Sequence, residues 1–146
     1  MIMETQSKNN IDGLEYTEAD ILHFENGLPG FEDLHKYVLS SNPDHEPFQW
    51  LHSIDDANIR FVVINPMLVN KDYNPKISSL HLESLGSFTS ETLLFFCIVT
   101  LDRENLANST ANMAGPLVVN VSTQKGKQII LDDQRYGIRS SILGCN

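Results

Sequence analysis

The chain reads as mostly β, a small antiparallel β-barrel with one or two short helices, and three observations carry that expectation. Its apolar residues fall in short runs with two-residue alternation. The runs are rich in Val, Ile, Phe and Thr and are bounded by Asn-Gly, Pro-Gly, Asn-Pro, Asp-Asp and Lys-Gly. None is followed by the long helical pattern that an α/β fold requires. Strands so short and so closely spaced are best accommodated by closure, which leaves few open edges.

Taken in order, the runs predict strands at Ile2 to Gln6, Ile21 to Phe24, Tyr37 to Ser40, Gln49 to Ile54 and Phe61 to Ile64. Further strands are predicted at Leu93 to Thr100, Ala111 to Met113, Leu117 to Ser122 and Gln128 to Leu131. Between the first two elements of the barrel lies Glu25-Asn26-Gly27-Leu28-Pro29-Gly30-Phe31-Glu32. Pro29 presets φ near −65° and Gly30 supplies the positive φ of a type II turn, with Gly27 a second flexible point. This turn sets Phe24 and Phe31 near each other and leaves Glu25, Asn26 and Glu32 exposed. Helix is predicted over Ser78 to Leu85, stopped by Gly86 as a C′ glycine, and as a short turn over Asp102 to Asn108 with Asp102 as N-cap. Lys71 to Pro75 reads as a surface loop, and the tail after Tyr136 has too little periodicity to place.

The chain's 146 residues are sized for a single domain, 1–146, whose core needs neither disulfide nor metal. The N-terminus carries no signal-peptide pattern, and the longest apolar run, Leu93 to Leu101, is too short to span a membrane. The expected location is the cytoplasm. Cys97 and Cys145 accordingly read as free thiols.

Net charge is −9, and its distribution is uneven. Residues 1–60 carry twelve acids against three bases, while residues 61–146 carry seven of each, so the whole excess lies in the first part. Such a surface repels phosphate backbones and anionic membranes and attracts a basic partner; acidity that serves only solubility is the plainer alternative. Neither direct nucleic-acid binding nor membrane contact is expected. Lys125-Gly126-Lys127 reads as a solvated hairpin turn, without the aromatics of a stacking platform.

Catalytic signatures do not accumulate. The five histidines form no His-Glu-x-x-His or comparable ligand set, so no metal and no cofactor is expected. The doublets Glu32-Asp33, Asp55-Asp56 and Asp132-Asp133 could in principle serve glycoside hydrolysis. Adjacent strand residues point to opposite faces, however, and each doublet reads more simply as a solvated turn. A small acidic hydrolase remains the alternative to a protein-binding role, and a purely structural module is a third.

Several segments, read together, resemble the FliW family of bacterial flagellar assembly factors. Ile21 to Glu32 matches the family's Ile-x-x-Phe-x-x-Gly-(Leu/Ile)-Pro-Gly-Phe-Glu. It is followed in order by Phe48-Gln49-Trp50-Leu51-His52-Ser53 with Asp55-Asp56, by Phe61-Val62-Val63-Ile64-Asn65-Pro66, by Asn112-Met113-Ala114-Gly115-Pro116-Leu117-Val118-Val119-Asn120 and by Gly126-Lys127-Gln128-Ile129-Ile130-Leu131. The shared order extends over residues 2 to 136. His52 stands where Gln is common, Gly115 where Ala is common, and Leu106 to Thr110 varies locally.

The resemblance implies a β-barrel without chemistry of its own and with two protein partners. One is flagellin, bound through its helical C-terminal region before assembly. The other is CsrA, a basic RNA-binding translational repressor that the protein would antagonise when flagellin has been exported. On that expectation Glu25, Glu32 and Asp33 belong to an acidic face for CsrA. Leu28, Phe31, Asn65, Pro66 and Met67 are expected to rim an apolar groove for flagellin's helix. Core or turn-shaping roles are the competing reading for Phe24, Phe31, Trp50, Phe61, Asn65-Pro66, Asn112 and Gly115-Pro116, with Trp50 and Phe61 expected in the core.

Overall fold

A computed structural model describes residues 9–11 and 13–142. The expected strand at Ile2 to Gln6, and Cys145, lie outside the described residues. A small hairpin comes first, β1 (Asn9–Ile11) and β2 (Leu14–Tyr16), turned at Gly13 with φ +84°. The sheet proper is built from β3 (Ile21–Phe24), β4 (Lys36–Ser41), β5 (Gln49–Ser53), β6 (Arg60–Ile64), β7 (Leu93–Thr100), β8 (Thr110–Ala111), β9 (Leu117–Asn120), β10 (Lys125–Gln128) and β11 (Ser140–Ser141). Two short helices, α1 (Pro66–Val69) and α2 (Ser79–Glu83), lie between β6 and β7.

Pairing runs β3-β4-β5-β6-β7-β9-β10 and returns from β10 to β3, which closes a barrel of seven strands. Every pair in the ring is antiparallel except the last, where β10 runs parallel to β3 with Lys125 opposite His23 and Gly126 opposite Phe24. A wholly antiparallel barrel was expected; this one seam differs. The hairpin turn falls earlier than Lys125-Gly126-Lys127, at 121–124, where Gln124 takes φ 60° and its N–H bonds the Asn120 carbonyl at 2.8 Å. Lys125 and Lys127 are therefore strand residues, and the strand expected at Gln128 to Leu131 begins three residues sooner. Gly126 is required there: a Cβ would lie 2.7 Å from Cζ of the fully buried Phe24.

One edge of β7 is shared by two strands. Phe96 opposes Leu117 and Val99 opposes Ala111, with Cys97 and Ile98 between them on β7 and residues 112–116 between them on the other side. This is a bulge of three extra residues (five against two), and it turns Met113 inward to 2 % exposure. The expected strand Ala111 to Met113 is thus shorter, ending where the bulge begins. Below the seam Ile129 and Leu131 continue the ladder by donating to the Pro116 and Ala114 carbonyls at 2.9 and 2.8 Å.

Strand alternation divides the apolar side chains between two layers. Leu22, Phe24, Tyr37, Leu51, Val63, Phe96, Leu117 and Val119 fill the barrel, with Leu28 plugging it from the turn after β3. Outward-facing Ile64, Cys97 and Val99 form a second core with Val69 of α1, Tyr73, Ala111, Met113 and Tyr136. The segment read as a surface loop, Lys71 to Pro75, is pinned there: Tyr73 is buried and its hydroxyl donates to the Met113 carbonyl at 2.7 Å. The unplaced tail covers the same layer, with Tyr136 stacked edge-on to Tyr73 and β11 pairing β8. Helix α2 is shorter than the expected Ser78 to Leu85, with Ser84 as its C-cap; just past it, Leu85 buries on Val118 and Ile129 and Gly86 takes φ +93° two residues after the cap rather than as C′. The turn near Asp102 is a 3-10 helix at Leu106–Asn108 capped by Asn105; Asp102 instead accepts from Glu104 and Asn105 N–H groups just before it.

Candidate functional site

The turn between β3 and β4 follows from its glycines. Phe31 N–H donates to the Leu28 carbonyl at 2.7 Å and Gly30 takes φ +85°, so Leu28-Pro29-Gly30-Phe31 is the expected tight turn. Gly27 takes φ +63° with its N–H on the Phe24 carbonyl at 2.9 Å. Leu28 is 1 % exposed and belongs to the barrel core, so it holds the turn and offers no surface. Phe31 is half-buried and meets Phe61 edge-to-face at 5.4 Å, while Phe24 meets Tyr37 at 5.3 Å. The two turn phenylalanines each find a partner on a neighbouring strand. Phe61 is packed against the core as expected, but Trp50 lies half-exposed on the barrel's outside between His45, whose Nδ1 accepts its indole N–H at 3.2 Å, and the Arg60 guanidinium at 4.7 Å.

Glu25, Glu32 and Asp33 are all exposed around this turn. Glu32 Oε2 accepts from Gly30 N–H at 3.0 Å, and backbone donors from Gly30 and its own residue hold its carboxyl below the usual range. Asp55, at the same end of the barrel, accepts from the His35 and Lys36 N–H groups at 2.8 and 3.2 Å, and Asp56 Oδ1 accepts from Asn58 N–H at 3.0 Å. The result is a rim of carboxylates around one mouth of the barrel. Asp132-Asp133 is elsewhere; Asp133 is forked by Arg135 at 2.7 to 3.1 Å, and that hydrogen-bonded guanidinium lowers its pKa. Several of these carboxylates are engaged in turn hydrogen bonds, and no opposed pair in a cleft emerges from them. No group of three or more His, Cys, Asp or Glu side chains that could hold a metal ion occurs among the described residues.

Asn65, Pro66 and Met67 sit at the far end of β6. Asn65 lies four steps beyond Phe61, roughly 13 Å along a strand, so these residues do not share a groove with Phe31 as expected. They line one of their own. Asn65 caps α1 by accepting from Met67 N–H at 2.9 Å, Pro66 occupies the first helical position and is buried, and Met67 is half-exposed. Facing them across a groove of about 550 Å³ are Leu93, Leu94, Phe95, Phe96 and Pro75, with Tyr73 and Gln49 completing the wall. Leu94, 40 % exposed, is its most open apolar residue on β7. The continuous apolar run Leu93 to Thr100 conceals this in the sequence, because alternation is the signal that separates outward from inward residues and the run has none.

Two positions that depart from the family's pattern are accommodated locally. His52 is buried with Nε2 3.0 Å from Ser40 Oγ. A Cβ at Gly115 would meet the side-chain ends of Gln128 and Asn112 at 2.8 and 3.0 Å, which flexible groups can relieve.

A family model described as FliW protein matches residues 5–142. The chain belongs to the FliW family. It is 37% identical over 142 residues to the flagellar assembly factor FliW of Thermoanaerobacter pseudethanolicus, covering 97% of this chain and 93% of that one. It is 35% identical over 132 residues to the flagellar assembly factor FliW of Thermotoga maritima, covering 90% and 89%. A crystal structure of the flagellar assembly factor FliW superposes with TM-score 0.85 at 29% identity, covering 94% of this chain and 98% of that one. The FliW resemblance and the closed β-barrel expected from the sequence are both borne out. No helix among the described residues is long and apolar enough to cross a membrane.

Proposed function

We propose that this chain is a cytoplasmic flagellar assembly factor that binds newly made flagellin through its C-terminal helical region and antagonises the translational repressor CsrA. The observation that carries the reading is family membership across nearly the whole chain, together with relatives named as flagellar assembly factors. The geometry adds a division of labour. The carboxylate rim of Glu25, Glu32 and Asp33 suits a basic partner such as CsrA. The groove of Met67, Leu94, Phe95 and Pro75 suits the apolar face of an amphipathic helix, as flagellin's end would present. These surfaces lie at opposite ends of β6, which supports two coupled contacts rather than one shared one.

Calorimetric titration of two variants tests this. Replacing Glu25, Glu32 and Asp33 by Lys should weaken CsrA by at least about tenfold and reduce its salt dependence, leaving flagellin binding intact. Met67→Asp with Leu94→Asp should do the reverse, since a charge is then buried against the helix. Both partners unaffected by both variants would reject the assignment of the surfaces. A pull-down from extract, in which added flagellin displaces CsrA from the bait, tests the exchange itself.

A further inference from the structure

The parallel seam of the barrel sets two lysines of an otherwise acidic chain beside a pocket. Phe24 and Gly126 point inward from β3 and β10, so His23, Lys125 and Lys127 point outward from the same two strands, and exposed Glu25 follows β3 in the turn. With Asn26, His35 and Ser84 they line a pocket of about 550 Å³ floored by Phe24, Leu85 and Gly126. That volume lies in the ordinary range for small-molecule sites, about 300 to 1,000 Å³.

The pocket is polar in a particular order. Lys127 Nζ is held at 3.1 Å from His81 Nδ1 and 3.3 Å from Ser84 Oγ, and Ser84 Oγ donates onward to the His81 carbonyl at 2.6 Å. An ammonium only donates, so these two acceptors take two of its three protons and one is left for a ligand. The Lys125 side chain makes no hydrogen bond or ion pair among the described residues, and it stands beside His23 in the parallel register. Alternate residues on a strand are roughly 7 Å apart at the backbone, and both lysines line the same pocket, so two ammonium groups reach one ligand there. Glu25 and Asn26 close the other side with acceptor oxygens. Glu25 and Lys127 form no ion pair among the described residues, so each is open to a ligand.

We propose that this pocket binds a small phosphorylated molecule carrying hydroxyl groups, with Lys125 and Lys127 on the phosphate and Glu25 accepting from a hydroxyl. The site is separate from the apolar groove and shares only Glu25 with the acidic rim, so Lys125 and Lys127, which the rim does not use, test it apart from the proposed partners.

The probes are ribose 5-phosphate, inorganic phosphate and ribose, titrated into the full chain and read by calorimetry and by the imidazole resonances of His23 and His35. Ribose 5-phosphate should bind with a Kd of roughly 1 mM or tighter, inorganic phosphate about tenfold more weakly, and ribose not at all. Lys125→Gln, which removes no internal contact, and Lys127→Gln should each weaken both phosphate probes by about tenfold. Glu25→Gln should weaken ribose 5-phosphate alone. Unmoved His23 and His35 resonances with either phosphate probe, or equal binding by wild type and the two lysine variants, would overturn the site. Equal affinity for the two phosphate probes, unchanged in Glu25→Gln, would overturn the hydroxyl contact.

Discussion

Gly27 and Gly30 make the same substitution into an experiment with its own control. Both have positive φ, +63° and +85°, so alanine at either meets the left-handed penalty of an L-residue. That penalty is roughly 1–2 kcal/mol, offset by about 0.4–1 kcal/mol from the freedom alanine removes from the unfolded chain. At Gly30 nothing lies within 4 Å of the new Cβ, so the net cost of Gly30→Ala is about 0–1.5 kcal/mol. At Gly27 the Cβ would lie 2.6 Å from the Phe31 carbonyl oxygen, 2.7 Å from Glu32 Cα and 2.8 Å from Glu32 C. These are backbone atoms, fixed by the Phe31 to Leu28 hydrogen bond and by the burial of Leu28 in the barrel. Overpacking adds about 1–3 kcal/mol, so Gly27→Ala should cost roughly 1–4.5 kcal/mol. Urea unfolding followed by Trp50 fluorescence measures both, with the slope m unchanged if only the folded turn is affected. Equal midpoints for the two variants would refute the close approach of this turn to its own backbone.

Asn120 is fully buried, donating to the Leu85 and Ser87 carbonyls at 3.1 and 3.0 Å and accepting from Ser122 N–H at 3.0 Å, so Asn120→Ala should destabilise by about 2–4 kcal/mol in the same unfolding assay. Tyr37 is buried without a hydrogen-bond partner for its hydroxyl among the described residues, so Tyr37→Phe should be neutral or stabilise by about 1 kcal/mol. Burial first, and Asp55 second, push its pKa from 10.0 up to about 12. The stability linked to that shift is whole below pH 10 and is lost as pH rises toward 12, so wild type should lose stability over that window and Tyr37→Phe should lose less. Burial likewise pushes Cys97 up to about 12, so in a Cys145→Ser background a disulfide reagent at pH 8 should label Cys97 only after unfolding.

The strands were most legible where an apolar run met a turn signal. Ile21 to Phe24 and Leu93 to Thr100 were read to the residue, because Gly27 follows the first and Asp102 the second. Misreadings came from contacts that a local window does not contain. Lys125-Gly126-Lys127 looks like a turn because a glycine between lysines has no local use, whereas its use is to let Phe24 lie against the strand from a hundred positions away. Trp50 looks like core by composition, yet His45 and Arg60 give it partners on the outside. Of the candidate surface, the exposed acids were readable from the turn that displays them. The grouping of Leu28 and Phe31 with Asn65, Pro66 and Met67 was not, since adjacency there depends on the length of β6 and on which way each strand runs.

The parallel seam also fixes when the molecule comes into being. Its two strands are β3 and β10, and Gln124 ties the join by donating to the Glu18 and Ile21 carbonyls, 106 and 103 positions earlier in the chain. Until β10 has emerged from the ribosome, β3 is a bare strand edge and the barrel is an open, curling sheet. Barrel closure is thus gated by the arrival of β10. A chain caught before that point exposes the interior face of its sheet, so the closed barrel is reached in a single step, when β10 docks on β3.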